Sequence, residues 1–432
     1  MRQMKLGYYA TSTGGHIAGW RHPDAYADHG ANLSRVAEMA RLAESACLDF
    51  LFLADSITMR GRDWDVLARS SNRYVAQFEP LTLLGALAAS TSRIGMVATA
   101  STTYEEPYNL ARRFASLDLL SDGRCGWNIV TSSNPNEPGN FSMDGLIPHA
   151  DRYRRAAEFV EVVKGLWNTW DAGAQIRDKE AGLFFDAAGM RLLNHVGEHF
   201  QVRGPLNVPR SPQGRPVLVQ AGASGPGRDL AAGVGEVIFS TIADYETARD
   251  FYRDIKRRAA EKGRDPDRVL VMPAVNIYVA PTREEARAKY DEVRELIEPV
   301  VGRAFLEMML ATSLGNAPDD GPLPELATDN TTTSGVFKVQ AEARREGLTI
   351  RELYLRMADK DSFSLFGTPA DIADQLQHRF EGEAADGYVF MPAFFPNCLT
   401  DFTTMVVPEL RRRGLFRDAY SATTLRGHLG LD

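Results

Sequence analysis

Short apolar runs that end in small polar residues, each followed by a stretch with helical spacing, recur along this chain, and that alternation restricts the fold more than any single motif. Its plainest example spans 93–153. Ile94 to Thr99 and Cys125 to Val130 are rich in strand-forming residues, and between them Leu110, Phe114, Leu117 and Leu120 return every three or four positions. That is a strand, a helix and a strand, with a polar cluster after each strand. In parallel α/β folds the chemistry sits in the loops after the carboxyl ends of strands, so 98–104 and 131–141 are the first places to look for a site.

The same reading gives strands at 5–10, 49–56, 94–99, 125–130, 216–220, 236–241, 269–279 and 387–391. Helical patterns fall at 32–46, from Pro80, at 150–170, 245–262, 284–298, 369–380 and 404–413. Eight strands alternating with helices predict an α/β fold, a (β/α)8 TIM barrel, with a doubly wound sheet as the other arrangement of the same elements. Two stretches break the pattern, at about 171–215 and 301–361. They read as insertions into a single domain covering 1–432, the first rich in β structure, and insertions of that length are candidates for a lid.

Composition narrows the function by exclusion. The 432 residues are 44% hydrophobic and 25% charged, enough to bury a large core, and the net charge of −8 gives no footprint for nucleic acid; the basic run Arg411 to Arg413 reads as the solvated end of a helix. Cys47, Cys125 and Cys398 lie far apart without a CxxC, which predicts reduced thiols in the cytosol. The first residues enter a strand without a leader-like apolar region, and no apolar window approaches eighteen residues, so a cytoplasmic protein without a membrane span is expected.

The common catalytic signatures are missing. No GxGxxG follows the first strand, no GxxxxGK[ST] occurs, and the text nearest a GxSxG elbow, GASG at 222–225, has its serine one residue late. His195 and His199 would place two ligands on one face of a helix, but Gly197 between them and FQVRGPL after them favour a polar hairpin over a metal site.

The candidates that remain end the strands. Asp55 closes the second run, Ser101 and Thr102 the third, Thr131 and Ser132 the fourth. Singly each suits a cap or a turn; together they suit a ligand rich in hydrogen-bonding edges. After the fifth strand, AGASGPGRD offers Gly222, Ser224 and backbone N–H groups at a helix start, an anion site or a plain turn capped by Ser224. His149 and Tyr153 stand one helical turn apart, able to meet a phosphate or a flavin edge, or to be structural.

GWNIVTSSNPNEPGNF, HADRYRRAAEFVEVVKGLW and HFQVRGPLNVPRSPQGRPVLVQAGASGPGRDLAA, with WRHP at 20–23, FLADS at 52–56 and STTYEEPYNLARRFASLDLLSDGR, cover nearly the whole chain. They resemble the flavin-dependent monooxygenases of the bacterial luciferase-like superfamily, in the branch of the nitrilotriacetate, EDTA and dibenzothiophene-sulfone enzymes. The resemblance implies a (β/α)8 barrel with insertions and FMN as cofactor, used as FMNH2 that a separate NAD(P)H:flavin reductase supplies. It further implies O2 as co-substrate, a flavin peroxide, and oxygenation of a small organic substrate with C–N, C–S or C–halogen cleavage. A homodimer or homotetramer is implied as well.

Carried over by residue, Asp55 matches the acid near the flavin ring, and Ser101, or Thr102 if the register slips by one, a hydroxyl contacting FMN. Asn128, Thr131 and Ser132 would line the floor beside the ring, His149 and Tyr153 form the helix-start pair, and Gly222 with Ser224 the phosphate loop. Pro138 departs from the pattern, where relatives often carry Ala or Arg. On the substrate side, His22 is the candidate proton donor or a plain loop residue, with Trp20 near it. Arg21, Arg60, Arg62 and Arg73 would suit a carboxylated or sulfonated compound, while Tyr8, Trp20 and Phe52 would suit an apolar pocket. A deazaflavin-dependent oxidoreductase and a non-catalytic flavin-binding barrel are the competing readings; GWNIVTS and HADRY weigh against the first.

Overall fold

In the computed structural model, which describes residues 2–310, 312–326, 334–358 and 363–432, eight parallel strands close on themselves. They are β1 (Lys5–Tyr9), β2 (Phe50–Leu53), β3 (Gly95–Ser101), β4 (Cys125–Val130), β5 (Val217–Gln220), β6 (Val237–Ser240), β7 (Leu270–Val279) and β8 (Gly387–Phe390). Each pairs with the next, β7 with both β6 and β8, and β8 returns to β1 with Tyr8 opposite Phe390. That closing pair distinguishes a barrel from a doubly wound sheet, and all eight strands lie where the alternation places them.

Side-chain alternation divides the core in two. Phe50, Phe52, Val97, Val217, Val219, Val237, Leu270, Met272 and Val389 fill the barrel interior. Leu51, Leu53, Met96 and Ala98, one position off, pack outward against the helices. Leu425, Leu429 and Leu431 of the C-terminal segment plug the interior beside Gly95. A Cβ on Gly95 would run into Leu425 and lie 2.8 Å from the Asp49 carbonyl, so only glycine admits the plug.

The helices that position the mouth begin with signals legible in the sequence. Asn32 caps α1 (Leu33–Ser45), and Pro80 starts α2 (Pro80–Ala88) beneath the side chain of Glu79. Next come α3 (Pro107–Leu120), α4 (His149–Trp167), α5 (Gly225–Val234) and α6 (Tyr245–Glu261). Among the described residues no helix is long and apolar enough to cross a membrane.

Both insertions hold structure of their own. In the first, His195–Val196 and Gln201–Val202 pair as a hairpin. The second is largely helical, with Pro299–Leu310 and Ile350–Met357 packing around Leu306, Leu353 and Tyr354 against Ile17 and Ala18 of the first loop. Residues 311, 327–333 and 359–361 of that insertion lie outside the described residues. The alternation misses one strand, Phe363–Gly367, which pairs with the outer half of β7 from Val275 to Val279. The ten-residue β7 overhangs the barrel, and its unpaired edge needs a partner. The last barrel helix also starts earlier than its pattern suggests, at Asn397, and runs through a π turn at Phe402–Val406 just before Pro408, whose missing N–H forbids the regular ladder.

Candidate functional site

The carboxyl ends of the strands surround a cavity of about 440 Å³. Phe52 and Phe239, stacked at 5.5 Å between centroids, form its floor above the apolar interior. Phe305, Met308 and Ala358 of the second insertion lie over it. A half-open cleft with a polar wall and an apolar floor is a usual form of a small-molecule site.

The polar wall begins with a register. β3 and β4 set Thr99 opposite Asn128, and Asn128 Nδ2 donates to Thr99 Oγ1 at 2.9 Å. Asn128 Oδ1, buried in the same wall, has no partner in the structure. A buried amide oxygen without a donor is costly, and here it faces a ligand-sized space.

Asp55, the residue after the second strand and its Ala54, lines the same cavity and accepts from Gln77 Nε2 at 3.2 Å. Burial pushes its carboxyl up to about 6; the charges of Glu79 and Glu137 add to that, and hydrogen bonds from the Ser56 backbone and Gln77 oppose it. Tyr74 enters from the loop after β2 with φ +57°, a left-handed conformation uncommon for a bulky side chain.

Ser101 and Ser132 meet at the ends of β3 and β4, with 2.7 Å between hydroxyl oxygens. Ser101 Oγ also accepts from the Thr103 amide at 3.0 Å, Ser132 turns the chain with φ +46°, and the Arg152 guanidinium donates to the Ser132 carbonyl. Thr102 is turned away: its hydroxyl donates to the Val130 carbonyl at 3.2 Å. Thr131 receives the Thr103 hydroxyl on its carbonyl at 2.8 Å, and its half-buried side chain is not among the cavity walls.

A second group forms where α4 and α5 begin. The His149 and Tyr153 rings lie 4.9 Å apart on the first turns of α4. Ser224 caps α5, accepting from the Gly227 amide at 3.2 Å, so the plain capping role is real. The turn is also a cradle, because a Cβ on Gly227 would lie 3.0 Å from each of Tyr153 OH, Ser224 Oγ and Gly222 Cα. Two helix N-termini, two glycines, a hydroxyl, a phenol and an imidazole therefore converge, and such a set suits an anion.

Other candidates lie elsewhere. His22 stacks on Phe394 at 4.1 Å, sits 3.4 Å from Glu292 through Nε2, and accepts the Asp24 amide on Nδ1. It lines a separate cleft of about 200 Å³, not the mouth cavity. Trp20 donates to the Arg69 carbonyl at 3.2 Å, and Tyr8 faces the helical layer beside Phe395, since its strand position points outward. His195 Nε2 lies 3.0 Å from Glu158, which also accepts the His199 and Phe200 amides; the pair straps the hairpin to α4. Among the described residues no cluster of His, Cys, Asp and Glu could hold a metal. Pro138 is buried at the head of a short turn whose Phe141 stacks on Tyr104 at 4.6 Å.

Sequence reasoning passed over Thr99, Tyr74, Gln77 and Glu137. A polar residue two positions inside a buried strand was the available signal for Thr99. Tyr74 and Gln77 come from an irregular loop without periodicity. Glu137 is buried, takes the Ser56 hydroxyl on Oε1 at 3.3 Å, and has its carboxyl raised by burial.

A closed parallel barrel whose polar groups gather at the strand ends, with an inserted helical segment along the cavity and paired helix starts nearby, defines a barrel of the enzyme type with a small-molecule site at its mouth. The luciferase-like monooxygenase family matches residues 10–386, and the chain belongs to that family. It is 48% identical over 435 residues to N-acetyl-S-(2-succino)cysteine monooxygenase of Bacillus subtilis (strain 168), covering 100% of this chain and 97% of the relative. To nitrilotriacetate monooxygenase component A of Aminobacter aminovorans it is 46% identical over 438 residues, with coverage of 100% and 97%. A crystal structure of riboflavin lyase with modified FMN and its substrate riboflavin superposes with a TM-score of 0.85 at 34% identity, covering 99% of this chain and 96% of that one. The chain is thus a monooxygenase with a flavin cofactor, and its relatives include a protein named as component A of a monooxygenase.

Proposed function

We propose that the chain is the oxygenase component of a two-component system, taking FMNH2 from a separate NAD(P)H:flavin reductase and using O2 to oxygenate a small organic substrate. The observation that carries the FMN assignment is the unpartnered, buried Asn128 Oδ1 beside Thr99 and Asp55, an acceptor waiting for a ring N–H. The Gly222–Gly227 turn, with Ser224, Tyr153 and His149, would hold the phosphate. Reduced FMN, when bound, supplies the electrons and the position at which O2 is activated.

The chain's own residues supply the rest. Asn128 and Thr99 orient the ring, Ser101 and Ser132 support the strand ends beneath it, and Asp55, raised to about 6, holds or releases a proton near neutral pH. Phe305 and Met308 give the cavity an apolar side from the second insertion, which would limit water at the reacting atoms once a ligand fills it. His22 has no part in this set, and the Thr102 hydroxyl belongs to the backbone.

Anaerobic titration with FMNH2, followed by mixing with O2, tests the reading. Saturable binding, with O2 uptake that a substrate diverts from H2O2 to product, is expected. Failure to bind FMNH2 overturns the reading.

A further inference from the structure

Of the four arginines that the first two loops offer to a substrate, the structure brings two to the mouth cavity. Arg21 is ion-paired with Glu298 at 3.1 Å and donates to the Leu296 carbonyl. Arg62 donates to Asn136 Oδ1 at 2.6 Å. Arg60 and Arg73 line the cavity, and neither has an ion-pair partner among the described residues.

The two are held together by their own backbones. The Arg60 amide donates to the Arg73 carbonyl at 3.0 Å, and Arg73 Nη1 donates to the Arg60 carbonyl at 3.4 Å. The Arg60 guanidinium lies 4.8 Å over the ring of Tyr74, the residue held at φ +57°. Strain of that kind persists only where the surroundings enforce it. The carboxyls of Asp55 and Glu137 accept from Gln77 and Ser56, and among the described residues neither makes a direct ion pair with either arginine, although the charge of Arg60 acts on Glu137 and opposes the upward push of its burial. Two like charges on one wall repel, and burial together with Arg60 already lowers the Arg73 pKa. An anion placed across both removes that repulsion and gains forked, charge-assisted hydrogen bonds.

We propose that Arg60 and Arg73 form the recognition site for a substrate that carries two carboxylates, one for each guanidinium, with the atom to be oxygenated directed toward Thr99 and Asn128. The direction of that reacting end rests on the flavin assignment; the diacid specificity does not. The phosphate cradle at Ser224 and Tyr153 lies beyond β5, so the arginines remain free for the substrate. The apolar side chains of Phe305 and Met308 then cover the carbon skeleton rather than its charges.

The test is calorimetric binding to the full chain, with saturating FMN and again without it. The probes are succinate, thiodiacetate, iminodiacetate and nitrilotriacetate, each beside its neutral methyl ester. At least one diacid is expected to bind, with its ester about tenfold weaker or worse. Arg60→Gln and Arg73→Gln should each weaken the diacid about tenfold, Arg73→Lys by less, with FMN affinity and melting temperature unchanged. The proposal is overturned if no diacid binds, if acid and ester bind alike, or if the variants keep full diacid affinity. It is also overturned if the variants lose FMN instead while still folded, since the arginines would then serve the cofactor. A wild-type chain that binds diacids but no FMN would sink the flavin reading and leave this one standing.

Discussion

Asp55 and Asn128 show how single residues mark this site. An acid whose folded pKa is raised from 3.8 to about 6 works against the fold when ionised. The stability linked to it is fully present below 3.8 and lost as pH rises through 6. Asp55→Asn should therefore stabilise the unliganded protein at pH 7.5 by roughly 2 kcal/mol and flatten its stability between pH 4 and 6, as read by urea unfolding at several pH values. Unchanged pH dependence would show that Asp55 is not held in its neutral form. Asn128→Ala removes the Nδ2 hydrogen bond to Thr99 as well as the acceptor that the free protein leaves unsatisfied. The free protein should lose about 1 kcal/mol of stability, and FMN affinity should fall by about 1 kcal/mol or more besides, read by urea unfolding and by FMN titration.

At the scale of elements, two contacts between strand ends and helices control the site and the floor. Gly227→Ala would place a methyl 3.0 Å from Tyr153 OH, Ser224 Oγ and Gly222 Cα, forcing the start of α5 away from α4. FMN affinity is expected to drop about tenfold with the fold retained, and flavin fluorescence quenching would measure it. The C-terminal plug depends on Glu236, which lies 2.8 Å from both Arg215 and Arg426 and accepts the Leu218 amide at 3.0 Å. Burial alone would raise that carboxyl, but the two guanidinium groups hold it at about 2. Its contribution is present above 4.5 and disappears as pH falls through 2. Glu236→Gln should cost roughly 3 kcal/mol at pH 7, measured by denaturant unfolding, because it leaves two half-buried arginines without their acid.

For the whole molecule, the second insertion adds Phe305 and Met308 to the lining of the mouth cavity. Replacing Phe305 and Met308 by Ala should leave FMN binding intact while water enters, so that H2O2 release per O2 consumed rises several-fold. An unchanged ratio of product to peroxide would remove the cover from the mechanism.

The barrel was legible because each strand buries both faces or alternates, and each helix repeats its apolar stripe; those periods are local, and they located all eight strands. Asp55 and Ser224 were legible for a related reason: one ends a strand and the other caps a helix, and so both follow once the strands are known, whereas Asn128, inside a strand, came only from the resemblance. Phe363–Gly367 was not, because its pairing depends on an overhang of β7 set by a strand far away in sequence. Nor was the separation of His22 from the cavity, or of Arg60 and Arg73 from Arg21 and Arg62. A side chain's partner is decided by loops that carry no period, and only tertiary packing shows which charges find a counter-ion and which are left facing the ligand.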